Sequence, residues 1–317
     1  MTRYDVSTFG EGQLRLTVPR GDRLLTARSL SMTAAGSEAN VAGLLAQLGH
    51  QTMWGSLVPV GELGDRILNE YRAVGVDLSH VKRTQEGRVA LYFLESGEAP
   101  MPGRVTYDRE HTPFRDIEPA SFEWDAVLDT RVLFVTGITT ALTEKTSAFI
   151  RYAVTEAHRR GIEVALDVNY RSLLWSPEDA RNTLRRLLGY VDILFCSRQD
   201  GQRVFGIVGD NGEQVVQALR ESTGVETVIS TDRVNGVYYA GPEGSKNYEV
   251  AVVPVTDRPG AGDAFVAGTL DGHLNGDILA GIGHGLRTAS YALTHHGDLT
   301  HIDRADLTAP ASSDIVR

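Results

Sequence analysis

Short apolar runs rich in β-branched residues recur along this chain, separated by longer stretches with helical spacing. Residues 4–9, 52–58, 132–136, 162–168, 192–196 and 225–230 read as strands. Residues 37–48 read as a helix with Val41, Leu44, Leu45 and Leu48 on one face. Residues 65–74 and 143–160 follow the same period, the second stopped by Gly161, and Pro177 opens another helix that ends near Gly189. Strands that are apolar on both sides need cover on both, and strands alternating with helices pair in parallel. The pattern predicts an α/β fold, a central and mostly parallel sheet with helices on both faces. The 317 residues suffice for one large domain of this kind or two ordinary ones.

Two segments break the alternation. Residues 12–33 and 86–112 read as consecutive strands with no helix between them, and Leu91 and Phe93 face away from Tyr92 and Leu94. They are expected to form a small β-sheet, a lid over the carboxyl edge of the main sheet, where α/β proteins bind their ligands. An exposed lid strand needs cover, which predicts a homodimer with the lids packed together. The tail after Leu307 is expected to fray.

Composition narrows the function. A net charge of −10 with no basic run argues against a nucleic-acid binder. The single cysteine, Cys196, permits neither an internal disulfide nor a cysteine-based zinc site, which suits a reducing cytoplasm. The first residues lack the apolar core of a signal peptide, and no apolar stretch reaches the length of a membrane span. A cytoplasmic protein without membrane partners is expected. The adjacent His295 and His296 form no metal motif, and no Gly-x-Ser-x-Gly elbow of a hydrolase is present.

The segment from Pro254 to Gly268 carries the chemistry. A strand over 248–255 is expected to run into the turn Gly260-Ala261-Gly262, after which a helix opens with Asp263 in its first turn. Free amides and the positive helix end would converge there on an anion, with a carboxylate beside it. The same pattern is also ordinary capping chemistry. It is not a dinucleotide fingerprint. Phe265 stands where the third glycine belongs, and only about fifty residues follow, too few for the companion strands.

Other segments supply polar groups. Asn169 and Arg171 fall just past a strand's carboxyl end, where Arg171 is suited to grip a carboxylate or phosphate or is simply a surface arginine. Tyr107 and Arg109 share one side of a lid strand, as ligand contacts or as protection of an exposed edge. Gly36 allows close backbone approach and Asn40 offers donor and acceptor, unless the pair only marks a Gly-Ser helix start.

Together these segments resemble the ribokinase-like (PfkB) carbohydrate kinase family over nearly the whole chain. The resemblance rests on Asp257-Arg258-Pro259-Gly260-Ala261-Gly262-Asp263-Ala264-Phe265 and on Gly36-x-x-x-Asn40 followed by Leu48-Gly49. Within the family the chain is most similar to the 2-keto-3-deoxygluconate kinases. That likeness is carried by Gly10-Glu11-x-x-Leu14-Arg15-Leu16, Gly36-Ser37-Glu38-Ala39-Asn40, Leu91-Tyr92-Phe93-Leu94-Glu95, Tyr107-Asp108-Arg109, Thr136-Gly137-Ile138-Thr139, Asp167-Val168-Asn169-Tyr170-Arg171 and Gly297-Asp298.

The resemblance implies one kinase domain over residues 1–317 with the lid inserted in it. It implies ATP-dependent phosphorylation of a sugar acid's terminal hydroxyl, with Asp263 as general base and the amides of Gly260, Ala261 and Gly262 as the anion hole. Gly36, Asn40, Tyr92, Tyr107, Arg109, Arg171 and Asp298 would hold the sugar acid. Asn169, Ser197, Ser230, Arg233 and Gly236 would approach the nucleotide. Mg²⁺ would travel with ATP and meet Asp200 through water, and the family likeness allows a monovalent cation. Three segments depart from the family pattern. Ser197-Arg198-Gln199-Asp200 replaces Asn-x-x-Glu, Asp232-Arg233 replaces a glycine of the nucleotide loop, and Arg258-Pro259 precedes the anion hole. They bear on nucleotide affinity and donor choice and leave open a catalytically weak sugar-binding or regulatory homologue; the alternative within the class is a ribokinase or fructokinase acting on a neutral sugar.

Overall fold

The computed structural model describes residues 2–97 and 100–309. The main sheet is built from β1 (Tyr4–Phe9), β4 (Thr52–Pro59), β5 (Val81–Thr84), β8 (Thr130–Thr136), β9 (Glu163–Asp167), β10 (Ile193–Phe195), β11 (Thr227–Thr231), β12 (Val237–Gly241) and β13 (Gly244–Tyr248). Their order is β13-β12-β11-β10-β9-β8-β1-β4-β5. Every neighbouring pair from β11 to β5 is parallel, and β12 and β13 add an antiparallel hairpin at one edge. The central strands are buried on both faces, as their continuous apolar runs require.

Among the described residues the α-helices are α1 (Ser37–Gln47), α2 (Glu62–Ala73), α3 (Trp124–Val127), α4 (Gly137–Thr140), α5 (Glu144–Arg159), α6 (Pro177–Leu188), α7 (Arg198–Phe205) and α8 (Gly212–Thr223) between the strands, and α9 (Ala261–Leu274) and α10 (Ile278–Thr294) after the last of them. One face of the sheet packs Phe9, Leu133, Leu166 and Leu194 against Phe149, Ile150, Leu184 and Leu219. The other packs Val6, Phe134, Ala165 and Ile229 against Val41, Leu44, Phe265 and Leu270. Helix α9 is apolar nearly all round because it lies between the sheet and α10. Glycines make the α9–α10 approach possible. A Cβ on Gly272 would lie 2.1 Å from the Cα of Gly281.

The lid is a second sheet of β2 (Gln13–Thr17), β3 (Ser31–Ala35), β6 (Ala90–Glu95) and β7 (Arg104–Asp108), in the order β3-β2-β6-β7. Strands β2, β6 and β7 lie within residues 12–33 and 86–112, and β3 runs on from the first of these segments to Ala35. The strand expected over 248–255 differs: β13 ends at Tyr248, and residues 249–260 are irregular. Pro254 has no N–H for a ladder, and Val252 is 82% exposed, which does not suit a strand paired into this sheet. The final residues of the tail expected to fray lie outside the described residues. Among the described residues, no helix is long and apolar enough to cross a membrane.

Candidate active site

The start of α9 forms the floor of the site. Gly260 has φ 86°, and a Cβ there would sit 2.1 Å from the Asp298 carbonyl oxygen, so only glycine fits. The first close helical hydrogen bond runs from Ala264 N–H to the Gly260 carbonyl at 2.8 Å. The amides of Gly262 and Asp263 precede it and lack intrahelical acceptors. Gly262 is exposed, and a Cβ built there meets nothing, so space opens directly over these amides.

Asp263 is half-buried beside them. The Ser37 hydroxyl donates to one of its oxygens, and Asn40 Nδ2 donates to the other at 2.8 Å. Tyr71 in turn donates to Asn40 Oδ1 at 2.9 Å. Burial pushes the Asp263 carboxyl up to about 6, against the pull of the Ser37 and Asn40 hydrogen bonds and the Arg171 charge. At neutral pH it is ionised, yet basic enough to accept a hydroxyl proton as a bond to phosphorus forms. Glu38, the next residue on α1, is buried between Thr136 and Thr139, whose hydroxyls donate to it at 2.6 Å each. Burial lifts it to about 7.

The lid meets this floor through charge. Arg15 on β2 is 1% exposed and donates to Asp298 at 2.7 Å, to Asp257, and to the Thr17 hydroxyl at 2.7 Å. Tyr92 stands opposite Arg15 on β6 and donates to Asp298, 2.6 Å from either oxygen. Asp257 also accepts from the amides of Arg258 and Gly297. Two lid strands thus hold both stretches of chain that flank the start of α9.

Tyr107 faces Tyr92 across the lid, with ring centroids 6.0 Å apart, and the Arg109 guanidinium lies 5.7 Å from the Tyr107 ring centre. The reading that Tyr107 and Arg109 share a side therefore describes their placement. Arg109 is not a free clamp. Its Nε and Nη2 bind Glu11 at 2.9 and 2.6 Å, and the Thr112 hydroxyl donates to the other Glu11 oxygen. Its buried Nη1 has no hydrogen-bond partner among the described residues. Gly36 lies against the Glu11 backbone, where a Cβ would come within 2.9 Å of the carbonyl oxygen.

The carboxyl ends of β9, β10 and β11 form the other side. Asn169, at φ 37°, donates from Nδ2 to the Ser37 hydroxyl at 2.9 Å. Arg171 is exposed, and its charge favours the ionised forms of Asp167, Asp200 and Asp263. Burial lifts Asp167 to about 8 and raises Asp200 as well. Ser197 caps α7 by accepting from the Asp200 amide at 3.0 Å. In the departing segments, Arg198 pairs with Asp232 at 2.9 Å, and Arg233, at φ 52°, donates to Gln199 at 3.2 Å. Gly236 has φ 141°, and the buried Ser230 hydroxyl lacks a hydrogen-bond partner among the described residues.

Sequence reading assigned no individual role to Arg15, Ser37, Glu38, Tyr71, Asp167 or Asp257. In β2, the alternation of Gln13, Arg15 and Thr17 with Leu14 and Leu16 reads as a solvent face. The partners that bury Arg15 come from more than 240 residues away. Tyr71 carries only the helix signal of a core position. Asp167 and Asp257 stood within the quoted motifs without a local cue to their burial.

A helix start with free amides beside a half-buried carboxylate, next to a second small sheet, fits a phosphotransferase of ribokinase-like fold. Comparison with known proteins agrees. Residues 5–304 match the pfkB family carbohydrate kinases, and the chain belongs to that family. It is 36% identical over 301 residues to a 2-dehydro-3-deoxygalactonokinase of Haloferax volcanii, spanning 93% of this chain and 92% of the relative. It is 29% identical over 277 residues to a 2-dehydro-3-deoxygluconokinase of Bacillus subtilis, spanning 86% and 84%. The crystal structure of a 2-dehydro-3-deoxygluconokinase from Thermotoga maritima superposes with a TM-score of 0.90 at 28% identity, covering 96% of this chain and 97% of that one.

Proposed function

We propose that this enzyme transfers the γ-phosphoryl group of ATP to the terminal hydroxyl of a sugar acid, 2-keto-3-deoxygluconate (2-dehydro-3-deoxygluconate), giving its 6-phosphate. The observation that carries the reading is the placement of the Asp263 carboxylate beside the amides of Gly262 and Asp263, which lack intrahelical acceptors. Asp263 accepts the hydroxyl proton as the new O–P bond forms and the bond from phosphorus to ADP breaks. The amides of Gly260 to Asp263 stabilise the charge on the transferring group. Arg109 and Arg171 favour an acidic sugar. One offers an unsatisfied N–H in a buried position, and the other an exposed fork at the sheet edge. Gly36, Tyr92, Tyr107 and Asp298 complete that pocket, with Asn40 holding the base.

The nucleotide is assigned to Asn169, Ser197, Ser230, Arg233 and Gly236. Among the described residues no group of three or more His, Cys, Asp or Glu side chains could hold a metal ion. Magnesium is assigned to arrive with ATP, where Asp200 and Asp167 would face its waters; bound, it would neutralise phosphate charge. The exposed Leu25 and Val105 on the lid, together with the edge strand β7, support a homodimer through the lids. A monomeric mass in solution at working concentration would sink that assembly.

A coupled assay of ADP release over a panel of sugars tests the function. The panel includes 2-keto-3-deoxygluconate, its galactonate epimer, ribose and fructose. The likeness to the Haloferax volcanii enzyme makes the galactonate epimer the second reading. Preference for ribose or fructose would replace the sugar-acid assignment, and no sugar-dependent ADP with any nucleotide would favour a binding or regulatory protein.

A further inference from the structure

Ser37 opens α1 directly after Gly36, where a serine reads as helix-start chemistry. Its hydroxyl caps nothing in that helix. It reaches 226 positions along the chain to donate to Asp263 Oδ1, and it accepts from Asn169 Nδ2 at 2.9 Å. An amide nitrogen only donates, so Asn169 occupies a lone pair of Ser37, and the single serine proton points at Asp263. Asn169 makes this contact from φ 37°, in the left-handed region that asparagine adopts more readily than most non-glycine residues, and its backbone amide donates to Asp167 at 3.1 Å. A second relay reaches the other oxygen, from Tyr71 to Asn40 Oδ1 and from Asn40 Nδ2 to Asp263 Oδ2. Two donor chains therefore end on one carboxylate, and each oxygen keeps a second lone pair for the incoming hydroxyl.

We infer that Ser37 is a positioning residue for the general base: its hydroxyl, oriented by Asn169, aims Asp263 and holds it ionised until the sugar hydroxyl arrives. The inference rests on the kinase reading above. The surroundings of Asp263 explain the need. Glu38 on α1, Asp167 and Arg171 at the end of β9, Tyr71 on α2 and Asp298 beyond α10 all act on this site. Asp298 repels a further negative charge here, as Glu38 and Asp167 do once ionised, and Arg171 is the one cation among these groups. Burial adds to the repulsion. Neutral donors directed at the oxygens stabilise the charge without occupying the space above the anion hole.

The test follows the Asp263 carboxyl by carbon-13 NMR titration, assigned by difference from Asp263→Asn, alongside the pH profile of kcat/KM. Ser37→Ala is expected to move the Asp263 titration and the acid limb upward by about one pH unit. Activity on the alkaline plateau should also fall, because Asp263 loses the contact that aims it, but less than in Asp263→Asn. Ser37→Thr, which keeps the hydroxyl, should retain the original titration. An unchanged titration in Ser37→Ala, with a loss uniform across pH, would overturn the inference. If Ser37→Ala proves unstable, Ser37→Gly removes the same hydroxyl and is read in the same way. The titration needs no turnover, so an inactive wild type would sink the kinase reading separately.

Discussion

Arg15 and Asp298 meet at 2.7 Å across the boundary between the lid and the catalytic turn, 283 positions apart in the chain. The Asp298 backbone carbonyl lies against Gly260, so the residue the lid grips also walls the turn proposed as the anion hole. Arg15 balances two acids there, Asp257 and Asp298, and all three are nearly withdrawn from water. Arg15→Met would leave two buried carboxylates without a counter-charge. A loss of about 3–5 kcal/mol is expected in urea unfolding. Arg15→Met combined with Asp257→Asn and Asp298→Asn should recover much of that stability without recovering activity.

Asp263→Asn keeps the shape of the side chain and removes the base. The expected outcome is a fall in kcat of about 10²- to 10⁴-fold, with sugar affinity by calorimetry largely intact. Comparable turnover in the mutant would count against the general-base role. In wild type the rate should fall as pH drops below about 6, where Asp263 takes up its proton.

Arg171→Ala separates acidic from neutral sugars. A charged hydrogen bond is worth enough that KM for a sugar acid should rise about 10- to 100-fold, with a smaller change for a neutral analogue. Equal losses would argue against carboxylate recognition. Arg109→Ala should show the same preference but also destabilise the fold, because it strips Glu11 of its buried partner.

Gly260→Ala places a methyl group 2.1 Å from the Asp298 oxygen at a positive φ. The turn must move, so stability should fall by more than about 1 kcal/mol. The rate of phosphoryl transfer should drop further than sugar binding. Unchanged kcat would mean that the amides of this turn are not the anion hole.

Burial raises Glu38 to about 7, Asp167 to about 8 and Asp263 to about 6, all above unfolded values near 4. Between those limits the folded protein holds more protons than the unfolded chain, so stability falls as pH rises through the folded values. Asp77 and Asp271, lowered to about 2, lose their contribution only below the unfolded range. His80, lowered by burial, opposes the trend below about 6.5 as a single group. The ligand-free enzyme is expected to melt at a higher temperature at pH 5.5 than at pH 8. Scanning calorimetry that found the reverse would contradict the raised values.

Local rules made part of this protein legible from its residues alone. Alternating apolar runs specified the parallel sheet and its helices, because strand and helix periods are short-range properties. Two consecutive-strand segments marked the lid. Gly260-Ala261-Gly262-Asp263 announced an amide-lined helix start with a carboxylate in its first turn, since glycine freedom and helix ends are also local. Pairing over long distances was decided only by the folded chain. The joining of Arg15 to Asp257 and Asp298, the engagement of Arg109 by Glu11 and the turn of Ser37 away from its own helix toward Asp263 all unite segments 98 to 283 positions apart. Such pairs form because a buried charge must find a counter-charge or donors wherever the fold brings them, and no local period records where that is.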